Sequence, residues 1–234
     1  MTDEAEDGSA NDRGFDRSSR SRLTRRDLGR FAGSTLLDRV GRVVCEAECL
    51  PRKELYEAWE VARRARRSFR GGRVVDLACG HGLLAHLMLL LDDTSPRALA
   101  VDTRLPESAP RLARAMTEAW PRLLGRVELR CGELCSVPVA SSDLVVSVHA
   151  CGSLTDDVLT HASAAKARVV VLPCCHERHA CDDGGLAGWM DVSLAIDVAR
   201  VARLRALGYA VDARQIPPEI TPKNRLLLGT PPRP

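Results

Sequence analysis

The sequence has few aromatic residues, little net charge and no long apolar run. Only eight of its 234 residues are aromatic, which argues against a platform of aromatic side chains that stacks successive bases. The net charge of +3 at pH 7 is too small to indicate a nucleic-acid partner by itself. The longest apolar run, residues 83–91, contains a histidine and falls well short of the roughly 20 residues that a transmembrane helix needs. These absences argue against a membrane-spanning protein and against a nucleic-acid binder that relies on charge alone.

What the sequence does have is enough apolar content for a core and an unusual number of cysteines. Hydrophobic residues make up 45% of the chain, which suits one α/β domain. The nine cysteines are an odd number in a chain too long for a small disulfide scaffold, so reduced thiols are expected. The segment from Thr24 to Leu28 resembles a twin-arginine export signal, but charged residues interrupt the apolar region that must follow. We therefore expect a cytoplasmic protein.

The composition divides the chain into three segments. Residues 1–22 are acidic and then rich in serine and arginine, which predicts a disordered tail. Residues 23–70 carry apolar residues at helical spacing, which predicts a helical N-terminal extension. An arginine cluster in this extension indicates a solvated helix face or, alternatively, a basic surface for a polyanionic substrate. The cluster comprises Arg63, Arg64, Arg66, Arg67 and Arg70.

The third segment, residues 71–234, alternates short apolar runs with amphipathic stretches. The apolar runs lie at 73–77, 98–101, 127–130, 144–148, 169–172, 209–216 and 226–229. The predicted helices lie at 83–91, 107–120, 156–167 and 192–207. Strands that alternate with helices predict a largely parallel sheet covered on both faces. The last two runs are joined by a proline-rich turn without a helix, so they should be antiparallel neighbours.

The most specific local pattern is a strand that leads into a glycine-rich turn and a helix, at residues 74–85. Gly80 and Gly82 allow backbone angles and close approach that a side chain would prevent. The spacing formally fits a dinucleotide-binding fingerprint, with Asp102 about 20 residues further on to hold a ribose. Asp76 argues against that ligand, because a carboxylate at the strand end would repel a pyrophosphate. A cationic ligand without phosphate, such as S-adenosylmethionine, suits this turn better.

The pattern Asp-x-Ala-x-Gly-x-Gly at residues 76–82 resembles motif I of class I S-adenosylmethionine-dependent methyltransferases. Asp102 resembles the acidic residue of that family that holds the ribose hydroxyls, and Glu133 lies where the family often places a polar residue near the adenine. The alternative is that Asp76 and Asp102 cap turns and that Glu133 begins a helix. The residues that the resemblance implies for cofactor binding are Asp76, Ala78, Gly80, His81, Gly82, Asp102 and Glu133.

Two further clusters follow the fourth and fifth predicted strands. The fourth strand is followed by His149-Ala150-Cys151-Gly152, and the fifth by Pro173-Cys174-Cys175-His176. His179 and Cys181 follow shortly after. Because ligands of such sheets bind beyond the carboxyl ends of the strands, these clusters should lie where a methyl acceptor binds. The sequence therefore predicts an acceptor site that includes His149, Cys151, Cys174 and His176.

These clusters, together with Ile216-Pro217 and the segment from Ile220 to Arg225, resemble one subgroup of methyltransferase domains. It includes the tRNA 2′-O-methyltransferases of the acceptor stem, methyltransferase-like proteins and the methyltransferase part of the glutathione S-transferase C-terminal-domain-containing protein. The resemblance covers about residues 46–229, and the additional zinc-binding modules of the tRNA enzymes are lacking. It implies a Rossmann-like class I fold with a mostly parallel seven-stranded sheet and an antiparallel final strand. It also implies S-adenosylmethionine as cofactor and favours RNA as acceptor. The sequence indicates no membrane association, and no protein partner is evident from it.

Three chemistries remain open for the clusters. His149 could act as a general base, since imidazole titrates near neutral pH. Cys151 or Cys174 could act as a nucleophile, although the flanking motifs of enzymes that use cysteines in this way are absent. Zinc binding is the third, by Cys151, Cys174, Cys175, His176, His179 and Cys181. Adjacent Cys174 and Cys175 should not readily face one ion, and no paired C-x-x-C is present, so no metal is expected. A non-catalytic S-adenosylmethionine-binding module and, less favoured, a dinucleotide-dependent oxidoreductase are the alternative functions.

Overall fold

A seven-stranded sheet forms the centre of the computed structural model, which describes residues 15–232. The strand order is β3-β2-β1-β4-β5-β7-β6, and β7 runs in the opposite direction to the other six strands of this sheet. The strands are β1 (Val74–Leu77), β2 (Ala98–Asp102), β3 (Val127–Cys131), β4 (Leu144–Ser147), β5 (Arg168–Val171), β6 (Ala210–Gln215) and β7 (Arg225–Thr230). Each agrees with a predicted run to within one residue at either end, and the Rossmann-like fold class is confirmed. No helix among residues 15–232 is long and apolar enough to cross a membrane.

The central strands form because both of their faces are buried under helices. Alternate residues of a strand point to opposite faces, so Val74 and Val75 of β1 belong to different parts of the core. Val74 packs on the side of the first four helices, and Val75 packs on the side of the last two. The helices are α1 (Leu36–Ala47), α2 (Arg52–Ser68), α3 (Leu83–Leu90), α4 (Ala109–Ala119), α5 (Leu154–Ala164) and α6 (Val192–Ala206). Each fully buried leucine contributes about 1.5–3 kcal/mol to such a core.

The N-terminal extension packs directly against the sheet domain. Thr35 and Asp38 form a capping box that begins α1, and Glu48 ends it in a left-handed conformation. Helix α2 begins after Pro51, and its Leu55 and Val61 are fully buried in the same core as residues of α3. The extension therefore covers one face of the sheet and, as shown below, contributes side chains to the site.

Part of the predicted disordered tail is ordered. Residues 1–14 lie outside the described residues, but Phe15 is buried, meets the ring of Phe31 edge-to-face at 6.0 Å and lies 3.7 Å below the guanidinium of Arg52. The backbone N–H groups of Arg52 and Lys53 donate to the carbonyls of Ser21 and Ser19. The predicted disorder is therefore wrong for residues 15–22, because one aromatic anchor and several backbone hydrogen bonds offset their polar composition.

The arginine cluster of α2 is only partly solvated. The side chain of Arg66 is buried, pairs with Asp92 at 3.0 Å and donates to the carbonyl of Met88 and to Ser95 Oγ. Arg64 pairs with Glu60 one turn earlier. Arg66 thus ties α2 to the segment after α3, and it is not part of a surface for a polyanion.

Candidate functional site

The candidate site lies at the carboxyl end of the parallel strands, where the chain order of the sheet reverses between β1 and β4. Strand β1 has β2 on one side and β4 on the other, so the segments that follow β1, β2 and β4 meet at this edge. Sheets of this type bind ligands at such a point. Two hollows lie here: a narrow cleft behind the glycine turn and a wider cavity below α2.

The glycine turn after β1 is shaped by three residues in left-handed conformation. Ala78, Gly80 and Gly82 have φ of 57°, 53° and 74°. A Cβ on Gly82 would lie 2.6 Å from Leu129 Cδ2, so this position needs glycine to pack against β3. A Cβ on Gly80 would meet no atom within 4 Å, so open space lies over the middle of the turn. The turn thus packs closely behind Gly82 and is open at Gly80.

Asp102 joins the end of β2 to this turn. Its Oδ2 accepts a hydrogen bond of 2.9 Å from the backbone N–H of Gly80, and its Oδ1 accepts one of 3.1 Å from Arg104. Each carboxylate oxygen has two lone pairs, so both can accept a further hydrogen bond. Asp102 therefore caps the turn through these two hydrogen bonds, and its oxygens can still accept a hydrogen bond from a hydroxyl.

Asp76 is buried behind the turn. Its Oδ2 accepts a hydrogen bond of 3.2 Å from the backbone N–H of Ala85, in the first turn of α3. No ion pair of residues 15–232 includes Asp76. Burial raises its pKa to about 8, the Ala85 bond partly opposes this shift, and the charge of Asp102 adds to it. Asp76 is thus a buried acid without a cationic partner among the described residues.

His81 and Glu133 lie in different surroundings. His81 lines the narrow cleft, its Nε2 lies 2.8 Å from Ser108 Oγ, and burial lowers its pKa. Glu133 is exposed and precedes a short 3-10 helix, Leu134–Ser136, which is the structural alternative considered for it.

The narrow cleft, of about 20 Å³, and the wider cavity, of about 740 Å³, share Glu54 and His149 in their walls. We call the wider one the acceptor-side cavity. Its walls come from the segment before α1, from α2, from the ends of β4 and β5, and from the loop between β6 and β7. They are formed by Ser18, Arg20, Pro51, Lys53, Glu54, Glu57, His149, Cys151, Cys174, Cys175, Thr221, Pro222 and Lys223.

His149 follows β4 and lies between the two hollows. Strand β4 pairs with β1 on one side, so the end of β4 lies beside the strand that carries Asp76. Burial lowers the pKa of His149 to about 4, the charge of Lys53 lowers it further, and Asp102 partly opposes this shift. The imidazole is therefore neutral near pH 7, with one ring nitrogen able to accept a proton, but it is a weaker base than the near-neutral imidazole expected from the sequence.

Three cysteines lie together on the wall of the acceptor-side cavity. The Sγ atoms of Cys151 and Cys174 are 3.1 Å apart, and those of Cys174 and Cys175 are 3.8 Å apart. Burial raises the pKa of Cys151 and of Cys174, so neither is an activated thiolate of the kind that a nucleophile requires. All three sulfurs lie within 4.8 Å of one another. The expectation that adjacent Cys174 and Cys175 should not readily face one ion is therefore wrong.

His176 is not part of the cavity wall, contrary to its predicted place at the acceptor. Its side chain is 3% exposed, and Nε2 lies 2.8 Å from Asp197 Oδ1 on α6. Asp197 also accepts hydrogen bonds from Arg200 and Arg225. Burial would raise the pKa of Asp197, but the bonds from His176 and Arg225 lower it below its ordinary value. His176 therefore belongs to a buried ionic network that fastens the segment after β5 to α6 and β7.

The other two residues near that segment are also outside the cavity. Cys181 is buried beside Arg200, whose Nη2 lies 3.6 Å from the cysteine sulfur. His179 is exposed.

Helix α2 contributes site residues that the sequence patterns did not single out. Glu54 lines both hollows, and burial together with Glu57 raises its pKa to about 7. Glu57 is buried and pairs with Lys53 at 3.0 Å. The sequence does contain a signal for these two acids: they stand next to the apolar residues Leu55 and Ala58, which lie on the buried face of α2.

The sheet order and the glycine turn define a Rossmann-like fold, and the two hollows lie at the strand ends where such folds bind ligands. A model of the family described as "Methyltransferase domain" matches residues 53–183, more than half of the chain. The chain belongs to this methyltransferase domain family. The match begins in α2, at Lys53, and so includes the acids of that helix.

Solved structures with the same fold include two methyltransferases. An O-methyltransferase family protein from Burkholderia thailandensis is 19% identical with a TM-score of 0.52, and the match covers 89% of this chain and 63% of that one. The S-adenosylmethionine-dependent methyltransferase SibL is 18% identical with a TM-score of 0.51, covering 91% and 66%. The chain thus spans just under two thirds of the length of each. No curated protein matches the sequence.

Proposed function

We propose that the protein transfers a methyl group from S-adenosylmethionine to an acceptor bound in the acceptor-side cavity, and that this acceptor is RNA. The observation that carries the proposal is the pair of carboxylates, Asp76 and Asp102, on either side of a glycine turn that is open at Gly80. The proposal is further supported by the methyltransferase family match, which includes this turn.

The residues present fit a cationic ligand. Asp76 is a buried acid without a cationic partner among residues 15–232, and Asp102 lies at the other side of the turn. An ammonium group near Asp76 would favour the ionised form of this acid and pair with it, whereas a pyrophosphate would meet the carboxylate of Asp102 and disfavour ionisation of Asp76. When bound, S-adenosylmethionine supplies a methyl carbon that its sulfonium has already activated.

The residues of the glycine turn and those that follow β2 and β3 would contact different parts of the cofactor. Gly80 leaves the space that lets a ligand approach the backbone, and Asp102 offers the remaining lone pairs of its oxygens to the ribose hydroxyls. Ala78, His81 and Gly82 shape the wall of the cleft. Glu133, exposed beyond β3, is proposed to face the adenine.

His149 orients the acceptor and takes its proton. It lines both hollows, so its imidazole lies between the cofactor side and the acceptor side. Glu54 lines the same two hollows from the opposite element, α2, and offers a second group for holding a hydrogen of the acceptor. Holding the acceptor in line with the activated carbon is the main catalytic contribution, since alignment alone can supply several kcal/mol.

The choice of RNA depends on the three cations in the cavity wall, together with the resemblance in the sequence. Arg20, Lys53 and Lys223 line the cavity, and Lys53 is partly neutralised by Glu57. Arg20 and Lys223 are then the groups that would contact phosphates. Their contribution should weaken as salt rises, as phosphate contacts do.

The experiment is methyl transfer with radiolabelled S-adenosylmethionine and separate fractions of small RNA, large RNA, protein and metabolites. The proposal predicts label in RNA, and Lys223→Gln should lower transfer more than Lys166→Gln, which changes an exposed lysine at the end of α5. Label in protein or metabolites alone would contradict RNA as acceptor. Cofactor binding without label in any fraction would instead favour the non-catalytic binding module.

A further inference from the structure

The three cysteines on the cavity wall have the arrangement of ligands to one metal ion. Their Sγ atoms lie within 4.8 Å of one another. Zinc binds thiolates at about 2.3 Å, so two sulfurs on one tetrahedral zinc lie about 3.8 Å apart. Cys174 and Cys175 already have that separation, 3.8 Å, and Cys151 and Cys174, at 3.1 Å, need only move apart slightly.

Their place in the sheet makes the arrangement a product of the fold. Strands β4 and β5 are parallel neighbours, with Ser147 beside Val171 at the last pair of the register. Cys151 follows that pair by four residues on one strand, and Cys174 and Cys175 by three and four on the other. Both segments leave the same edge of the sheet, so the sulfurs converge there.

The surroundings leave room for a fourth ligand. All three cysteines line the acceptor-side cavity, which is open to a small molecule, and no other histidine, cysteine or acid of residues 15–232 completes the cluster. Sites with three protein ligands and one open position are typical of zinc that binds a water or a substrate atom. Zinc with three thiolates carries one negative charge, and Lys223 in the same wall offsets it.

We propose that Cys151, Cys174 and Cys175 bind one zinc ion whose fourth coordination position faces the acceptor-side cavity. Binding replaces three S–H bonds by three Zn–S bonds and releases three protons to solvent. The fourth position takes water or a thiol, hydroxyl or nitrogen group of a ligand in the cavity. The site does not depend on RNA being the acceptor, because zinc alone occupies it.

The test uses cobalt, which replaces zinc and has visible absorption bands that report sulfur ligands and geometry. The reduced, chelator-treated protein is titrated with Co²⁺ and then with Zn²⁺. We expect one cobalt per chain, with sulfur-to-metal charge-transfer bands and the strong bands of tetrahedral cobalt, both lost on adding zinc. Serine at any one of the three positions should weaken binding by at least about 100-fold. Cys135→Ser, which changes an exposed cysteine after β3, should bind as wild type.

Two further measurements on the unaltered protein keep the test independent of whether the variants fold. Zinc should protect these three cysteines, and not Cys131 or Cys135, from alkylation followed by mass spectrometry. A small thiol such as 2-mercaptoethanol should shift the cobalt bands by taking the fourth position. Absence of tight cobalt binding, octahedral spectra, or one metal per two chains would overturn the proposal. So would a Cys151–Cys174 disulfide that persists in the presence of reductant.

Discussion

The carboxylate of Asp102 accepts a hydrogen bond from the backbone N–H of Gly80 over 2.9 Å, which joins the end of β2 to the glycine turn after β1. A residue expected to hold the cofactor is thus also part of the framework that shapes the cofactor site. Substitution at this position should therefore have two separable effects, on binding and on stability.

Asp102→Ala should weaken the binding of S-adenosylhomocysteine by about 1–3 kcal/mol, the range for loss of a hydrogen bond to a charged group. It should also lower the melting temperature of the free protein, because the N–H groups of Gly80 and Arg104 lose their acceptor. Calorimetry and thermal melting measure the two effects. Asp157→Ala, which removes an exposed acid from the first turn of α5, is the control: it should leave the affinity unchanged and lower the melting temperature less than Asp102→Ala. Unchanged affinity in Asp102→Ala would remove this residue from the cofactor site.

Binding of a cation near Asp76 should release a proton. The pKa of Asp76 is about 8 in the free protein, so the acid is mostly protonated at pH 7, and a neighbouring ammonium would favour its ionised form. Calorimetry at pH 7 in buffers of different ionisation enthalpy should show release of about one proton, falling towards zero well above pH 8. Asp76→Asn should bind more weakly and without this release. An identical proton count for wild type and Asp76→Asn would contradict the contact.

The same pKa predicts how Asp76 affects the stability of the free protein. Its value in the folded state lies above that of the unfolded chain, 3.8. The folded state therefore binds more protons between these values, and stability falls as pH rises from about 4 to 8. Asp76→Asn, which cannot ionise, should be less sensitive to pH in denaturant titrations over this range. A steeper pH dependence in the variant would show that burial of the acid is not the cause.

His149→Ala should reduce turnover by about 100-fold or more if the imidazole takes the acceptor's proton. Cofactor binding and melting temperature should stay near wild type, because no hydrogen bond of His149 supports the fold among the described contacts. Single-turnover methyl transfer with the RNA fraction measures the effect. Loss of stability with normal turnover per folded molecule would show that His149 has only a structural role.

His176 and Asp197 should matter for stability and not for the chemistry. Asp197→Asn weakens a buried network with His176, Arg200 and Arg225, which should cost about 3–5 kcal/mol of unfolding free energy. Asp212→Asn alters an exposed pair with Arg214 on β6 and should cost at most about 1 kcal/mol. Denaturant unfolding compares the two variants. A small loss in Asp197→Asn, or a selective loss of turnover in His176→Gln, would contradict this assignment.

The sheet and the positions of the strand-end residues could be predicted from the sequence. Runs such as Val74–Leu77 are apolar at every position but one, as strands buried on both faces must be, and chain order then places Asp76 and His149 at one edge. The direction of a side chain beyond a strand end could not be predicted. His176 follows two cysteines of the cavity wall, yet it pairs with Asp197, 21 residues further on.

The sequence patterns also did not predict the residues outside the sheet that contribute to the site or to the core. Glu54 lies in a helix that precedes the glycine turn, and only the packing of α2 over the strand ends brings it to the cavity. Phe15 lies in a polar segment, where one aromatic ring gives no periodic signal. Both depend on long-range packing, which composition and local periodicity do not report.

The most direct test of the account is calorimetric binding of S-adenosylhomocysteine and NAD to the same preparation of the protein. We expect one S-adenosylhomocysteine to bind per chain, Asp76→Asn and Asp102→Ala each to weaken that binding, and NAD not to compete. Binding of NAD without any response to S-adenosylhomocysteine would contradict the assignment of the glycine turn, and with it the proposed methyl transfer.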